Sequence, residues 1–496
     1  MPARELEVKF AAPRAAVEAV FGQHLQDAAP KRLRAVYFDT AEFDLRRANL
    51  SLRLRCDDGH WVQTLKSGPG VVSRDEDEHA APDARLRLGR LAQSPMQARL
   101  MALRDELRPV FETHVRRKVF LLDCDGAQIE AAFDEGEVRA GAERDEISEI
   151  ELELKGGATA GLIQAARRLA GAPGFRLALT SKAARGYALI CGEDAGASPF
   201  RAPHLDKQVS VGEGLQGVIM AVLAHFEANA SRAAADAGVD TVHQTRVALR
   251  RLRVLTGAFP KLFGDESLEP IRARLAQLAS ACASARALDV FAIGVAQPYV
   301  GAEGPMAAPG LAAALLDARE RAADQVRARL AAPQLNEALL DLIDWTLDGP
   351  WTRDAARTAL REQPLRKLAA KALRHRLRVL ARRGAEADWE DADQLHHLRI
   401  QAKKARYLAD SLPVKGLDGA LTALRALLGE LGAVHDLAVA PETFALIQAE
   451  RPGDTTLALS GGVAIGRLQA KAPKHLARAR DAWDQVLKSA RDQDLA

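Results

Sequence analysis

The chain has 496 residues, 48% hydrophobic and 27% charged, a balance that excludes disordered and fibrous classes. At roughly 100–200 residues per domain, the length also excludes a single small domain. The net charge is +3, and residues 1–200 carry 29 basic and 31 acidic groups against 40 and 35 in residues 201–496, so neither half is a polycation.

The N-terminus, MPARELEVKF, lacks the apolar run of a signal peptide, and no stretch reads as the roughly 20 apolar residues needed to cross a bilayer. Cys56, Cys124, Cys191 and Cys282 lie far apart without a CxxC pair, which offers neither zinc-site spacing nor a disulfide framework. A cytoplasmic protein without a membrane partner is expected.

Period-2 alternation predicts strands at Glu5–Phe10, Ala35–Phe38, Leu50–Arg55, Trp61–Lys66, Arg117–Leu122, Ile129–Phe133 and Glu149–Leu154. Asp57-Asp58-Gly59 and Asp125-Gly126 read as turns, and helical periods occupy Arg14–Gln26 and Thr159–Leu169. These residues predict a mainly antiparallel α+β domain. Gly, Ala, Ser and Pro in Cys191–His204 mark the join to a second, all-helical domain with long Ala/Leu/Arg periods, as in Ile271–Ser284, Leu311–Leu330 and Leu421–Leu431. Gln297–Gly310 reads as a connection inside it.

The strands sort their charges by sign. Glu5, Glu7 and Lys9 share one face of the first, Arg53 and Arg55 face one way, Thr64 and Lys66 another, and Glu149, Glu151 and Glu153 alternate with Ile150, Leu152 and Leu154. An ordinary wet sheet face would also alternate. Grouped like charges, however, call for something of opposite sign between them. Carboxylates two residues apart suit a divalent cation, which favours oxygen ligands, and Arg and Lys suit phosphate oxygens. A metal together with an anionic substrate satisfies both sets.

This ordered series resembles the CYTH superfamily, the triphosphate tunnel metalloenzymes. The likeness runs through ELEVKF, Arg53-Leu54-Arg55, Lys66, Arg74 with Glu76, Thr113–Arg117, Asp134 in FDEGEV, IELEL and Ser181-Lys182-Ala183-Ala184-Arg185-Gly186-Tyr187. It implies an N-terminal eight-stranded antiparallel β tunnel with flanking helices that binds a triphosphate with Mg2+ or Mn2+. Carried onto this sequence, it assigns Glu5, Glu7, Glu151 and Glu153 to metal, and Glu76, Asp134 and Glu149 to catalysis. Lys9, Arg53, Arg55, Lys66, Arg74, Arg117, Lys182 and Arg185 are assigned to the phosphate chain. DEDEHA after Arg74 leaves Glu76 and Glu78 as alternatives, and Arg116 competes with Arg117, which is favoured.

In the helical half, His243, Arg246, Arg250 and Arg253 recur 153 residues later as His396, Arg399, Lys403 and Arg406. At ~100° per residue, offsets of 0, 3, 7 and 10 fall within an arc of about 80°. One such stripe is usually a solvated helix face. Two in a pseudo-duplicated array form a positive groove for a polyanion. With no nearby carboxylates or second spaced histidine, a metal centre there is disfavoured. These motifs resemble the CHAD domain, the conserved histidine alpha-helical domain, over about 210–490, and Ala287 departs from its RDxDV pattern at Arg286–Asp289. The resemblance implies binding of inorganic polyphosphate at those eight residues and association with polyphosphate granules.

The expected organisation is a tunnel domain at 1–195, a linker at 196–208 and an all-α bundle of two pseudo-repeats at 209–492. The expected activity is hydrolysis of inorganic triphosphate to pyrophosphate and phosphate. Thiamine or nucleoside triphosphate hydrolysis, adenylate cyclisation and a non-catalytic polyphosphate scaffold are the alternatives. No GxxxxGK[ST] loop and no interleaving of aromatic with basic residues is present, so neither a P-loop nor a specific nucleic-acid partner is expected.

Overall fold

The computed structural model describes residues 3–67, 72–91, 95–192, 196–297, 309–414 and 418–492. The side chains of 3–5, 73–75, 95–96, 309 and 490–492 lie outside that description, and with them the site assignments of Glu5 and Arg74. Most of the expected connection at 297–310 also lies outside the described residues.

Nine strands form one antiparallel sheet: β1 (Ala3–Ala11), β2 (Pro30–Asp39), β3 (Leu50–Asp57), β4 (His60–Ser67), β5 (Ser73–Ala80), β6 (Arg108–Cys124), β7 (Ala127–Ala140), β8 (Glu143–Gly156) and β9 (Arg176–Leu177). Their order is β5-β4-β3-β2-β6-β7-β8-β1-β9. Tight turns set the hairpins. Asp58-Gly59 (φ 45° and 89°) and Asp125-Gly126 (51° and 75°) are left-handed at both residues, the geometry whose twist matches that of the flanking strands.

The expected eight-stranded antiparallel tunnel is corrected to a sheet that does not close into a tunnel. The ordered sheet has nine strands and runs from β5 to β9, and the further β1–β5 pairing is confined to Ala3–Leu6 against Ser73–Glu76. The reason lies in β1, which divides its outer edge. Its first residues meet β5, while Phe10 and Ala11 meet Leu177 and Arg176 of β9. Between them, the Lys9 carbonyl accepts from the Ala178 amide at 2.8 Å.

Alternation separates the two faces of the sheet. Val8, Phe10, Ile129, Ala131, Phe133, Ile150 and Leu152 are at most 1% exposed and share a core with Val17 and Leu25 of helix Arg14–Asp27 and Leu162, Ile163, Ala166 and Leu169 of helix Thr159–Ala170. Each large side chain buried this way stabilises the fold by about 1.5–3 kcal/mol. The opposite face is left for the charged alternates.

From Val211 onward the described elements are helical. Helices Val239–Ala258 and Ala392–Ser411, which carry the two basic motifs, pack against each other, and Asp418–Gln448 packs on the second. One run, Leu268–Ala296, is long and apolar enough by length and composition to span a bilayer, which corrects the expectation that none is. It consists of helices Leu268–Ala281 and Ala283–Phe291 with a π-turn, and Leu268, Leu275, Leu288 and Phe291 are buried in the helical core.

The two halves interlock through buried and partly exposed polar groups. Asn336, 5% exposed in helix Pro333–Asp348, accepts from the Leu177 amide at 3.0 Å and donates to the Phe175 carbonyl at 2.9 Å. Arg167 pairs with Asp341 at 2.5 Å.

Candidate active site

The charged faces of β1–β8 meet around one cavity of about 260 Å³. Strand register brings them together. Arg117 of β6 lies opposite Asp134 of β7, which lies opposite Glu149 of β8; Glu151 of β8 lies opposite Lys9 of β1; and Glu153 lies opposite Glu7. Directly opposed residues on one face of an antiparallel pair have adjacent side chains, so a pattern of period two becomes a three-dimensional cluster.

Among the described residues, Asp134, Glu149 and Glu151 are the carboxylates that draw together, each offering an oxygen within 4.8 Å of the others. Asp134 is fully buried and Glu149 is 3% exposed. Lys182 Nζ sits among them, 2.7 Å from Asp134, 2.5 Å from Glu149 and 2.7 Å from Glu151. Arg117 makes a bidentate pair with Asp134 at 2.7 and 2.6 Å and reaches Glu151 at 2.5 Å. Lys9 lies 3.6 Å from Glu149 and donates to the Thr180 carbonyl at 2.8 Å.

These contacts fix the charge states. Burial alone would raise the Glu151 carboxyl, yet Lys182, Arg117 and Lys9 hold it well below the usual range. Burial would lower Lys182 and Arg117, but the carboxylates around each raise them well above their ordinary values. The donors are all carboxylate oxygens, the ligand type that a hard divalent cation takes. The residues therefore fit such a metal.

A short helix delivers Lys182. Ser181 caps Lys182–Cys191 by accepting from the Ala184 amide at 3.1 Å. Farther along, Tyr187 donates to buried Asp39 at 2.6 Å. A Cβ at Gly186 would come within 2.3 Å of the Phe111 ring, so glycine allows the helix to lie flat on β6.

On the β3–β5 side, Glu76 is 3.8 Å from Arg53 and 3.5 Å from Lys66, while Glu78 is 3.2 Å from Arg55 and accepts from Thr64 at 2.8 Å. Both acids line the cavity. The Arg55 guanidinium is lowered from its ordinary value first by the Arg53 charge and then by burial. Arg116 turns to Glu135 at 3.0 Å, away from the lining.

Glu7 and Glu153 also line the cavity, beside rather than within the three-carboxylate cluster, and Glu153 pairs with Lys155 at 2.6 Å. Arg185 pairs with Asp145 at 2.5 Å, reaches Glu149 at 3.7 Å and lines an adjoining cavity. Lining residues that the sequence reading did not single out include Tyr37, Glu130 and Lys155. Lys155 could have been found by extending the Glu149, Glu151, Glu153 period by one step, and Glu130 lies inside the predicted strand Ile129–Phe133, in period with Asp134.

The basic stripes form a second cluster. Burial and the Arg286, Arg250 and Arg246 charges push His243 down to about 4, and burial with Arg399 and Arg250 pushes Lys403 down to about 7. Burial and Arg250 lower Arg246 to about 10. Arg246 Nη1 and Arg399 Nε are buried without a hydrogen-bond partner. Helix Asp418–Gln448 adds His435, whose Nδ1 lies 3.1 Å from that of His396. Arg253 and Arg406 are exposed, and Arg406 pairs with Asp410 at 3.4 Å.

Residues 3–187 match the CYTH domain family model, and residues 217–414 match the CHAD domain model. An inorganic triphosphatase of Haemophilus influenzae is 33% identical over 160 residues, 31% of this chain and 44% of that protein, so the chain spans less than half the length of this relative. The crystal structure of the CHAD domain from the plant Ricinus communis is 24% identical, with a TM-score of 0.50 over 58% of this chain and 97% of that one, a likeness of fold. The chain thus carries a CYTH domain at residues 3–187 followed by a CHAD domain at residues 217–414.

Proposed function

We propose that the chain hydrolyses inorganic triphosphate to pyrophosphate and phosphate in the cavity of the sheet, with a divalent cation, and binds inorganic polyphosphate through its helical half. The observation that carries the reading is Lys182 Nζ within 2.7 Å of three clustered carboxylates, in a cavity whose other side presents Arg53, Arg55 and Lys66. A volume of about 260 Å³ lies below the roughly 300–1,000 Å³ typical of sites for drug-sized ligands, which favours a short inorganic chain over a nucleotide.

Asp134, Glu149 and Glu151 would hold the cation, Mg2+ or Mn2+, with Glu7 and Glu153 beside them; when bound, it neutralises phosphate charge and polarises the oxygens of the reacting group. Lys9, Arg117 and Lys182 exchange carboxylate partners for phosphate oxygens, while Arg53, Arg55 and Lys66 grip the chain from β3 and β4. Preorganised cations of this kind stabilise the charge of the transition state. The water oxygen bonds to a terminal phosphorus, the bridging P–O bond breaks, and pyrophosphate leaves with the electron pair. A carboxylate among Glu76, Asp134 and Glu149 takes the water proton.

The helical half, 209–492 beyond a linker at 196–208, binds polyphosphate between its two stripes. Buried cations that depress one another are stabilised when a polyanion enters. Such binding would hold a cytoplasmic enzyme at polyphosphate granules. The test is phosphate release from triphosphate with Mg2+ or Mn2+ and its loss in EDTA; release that persists in the chelator would contradict the reading.

A further inference from the structure

The segment from Phe175 to Lys182 connects the cavity to the helical half. Glu227, 6% exposed in helix Val211–Ala235, reaches into the strand domain. Its Oε2 accepts from the Leu179 amide and from Thr180 Oγ1, both at 3.1 Å, and its Oε1 accepts from Ser231 Oγ at 2.7 Å. The Thr180 carbonyl in turn accepts from Lys9 Nζ at 2.8 Å. Ser181 then caps the helix that begins at Lys182.

One buried carboxylate thus fixes the backbone that holds one cavity lysine directly and launches the other two residues later. A buried carboxylate with three donors is worth keeping only where its geometry matters, because leaving those donors unmet costs about 1–3 kcal/mol each. Docking alone does not require it, since Asn336 already joins β9 to the helices and Arg167 joins helix Thr159–Ala170 to Asp341. Neither of those residues bonds to Thr180 or to a cavity lysine among the described contacts.

We propose that Glu227 of the helical domain is a positioning residue for the phosphate site: by holding Leu179 and Thr180 it sets the placement of Lys9 and Lys182. The inference rests on the phosphate-binding reading of the cavity. It makes the helical domain part of the catalytic architecture, and the strand domain alone incomplete.

The experiment compares full-length Glu227→Ala, Glu227→Gln, Thr180→Val and Arg167→Ala, each checked for folding by circular dichroism. It measures kcat and KM for inorganic triphosphate, and the Kd of triphosphate in EDTA by calorimetry. Glu227→Ala is expected to lose about tenfold in kcat/KM and to weaken Kd by about fivefold or more. Glu227→Gln, which keeps an acceptor carbonyl, should recover to within about threefold of the unmodified chain. Arg167→Ala, which cuts an interdomain pair remote from the lysines, should stay within about twofold. Thr180→Val should fall in the direction of Glu227→Ala and add little to it in the double variant, as expected for coupled groups.

Glu227→Ala or Thr180→Val matching Arg167→Ala in kcat/KM and Kd would overturn the proposal, and so would Glu227→Gln as impaired as the alanine variant. If the unmodified chain releases no phosphate, the hydrolase reading fails alone. The Kd in EDTA then decides the role of Glu227, and a value within twofold of Arg167→Ala overturns it.

Discussion

Replacing Lys182 with Met removes the ammonium at the centre of Asp134, Glu149 and Glu151 while keeping most of the side-chain volume. The four groups are 11%, 0%, 4% and 15% exposed at their side chains, so water does little to compensate. Removing one partner of a buried ion pair costs about 3–5 kcal/mol. Arg117 and Lys9 remain, and the lower end, about 3 kcal/mol, is the expected loss. For a domain of this size that is a fall of roughly 6–12 °C in the unfolding midpoint.

The sign with pH follows from Glu151. Its folded carboxyl is held below the unfolded value, so its contribution is present above the unfolded value and disappears as pH falls through the folded one. Without Lys182 the folded value rises, so the variant's deficit should be full above the ordinary carboxylate range and shrink as pH falls below it. A divalent cation that binds only the folded state at a hundred times its Kd returns about 2.7 kcal/mol. The assay is thermal unfolding in EDTA and in saturating Mn2+. A large deficit in EDTA is expected, and Mn2+ should raise the midpoint of both the variant and the unmodified chain. An unchanged midpoint in EDTA would refute the cluster's electrostatic account, and no rise with Mn2+ in either protein would refute the metal assignment.

Glu151→Gln is predicted to lower turnover of triphosphate by at least tenfold, about 1.4 kcal/mol of transition-state stabilisation, read by phosphate release at saturating metal. Reversing Arg246 and Arg399 to Glu should weaken long-chain polyphosphate binding while leaving triphosphate hydrolysis within about twofold; unchanged polyphosphate affinity across a salt series would reject the groove. Lys403, pushed down to about 7 by burial and by Arg399 and Arg250, is largely neutral at pH 8. An entering polyanion raises it, so binding at pH 8 should take up protons, and calorimetry in buffers of different ionisation enthalpy should show that uptake shrink in Lys403→Met.

Much of this site was legible because β-strands convert period two into position. Glu7, Lys9, Glu151 and Glu153 share the cavity that their alternation suggested, and the 153-residue repeat places His243 and His396 on two packed helices. The extents were less legible. β2 begins at Pro30 rather than Ala35, because Lys31, Arg32 and Arg34 hide its period, and two-residue β9 has no period to read. The resemblance assigned Glu5, Glu7, Glu151 and Glu153 to metal and Asp134 and Glu149 to catalysis; among the described residues the tight group is Asp134, Glu149 and Glu151, a grouping set by cross-strand register between β7 and β8, which is invisible in either strand alone. Glu227 gave no local signal, being one of two acids in a long, mostly apolar helix.

The most direct test is product analysis with the full chain, Mg2+ or Mn2+, and inorganic triphosphate, ATP, thiamine triphosphate or pyrophosphate supplied separately. One pyrophosphate and one phosphate per triphosphate consumed, formed faster than any product from the other three, is the predicted result. No release from triphosphate by folded, metal-loaded protein, or preferred cleavage of ATP, would contradict it.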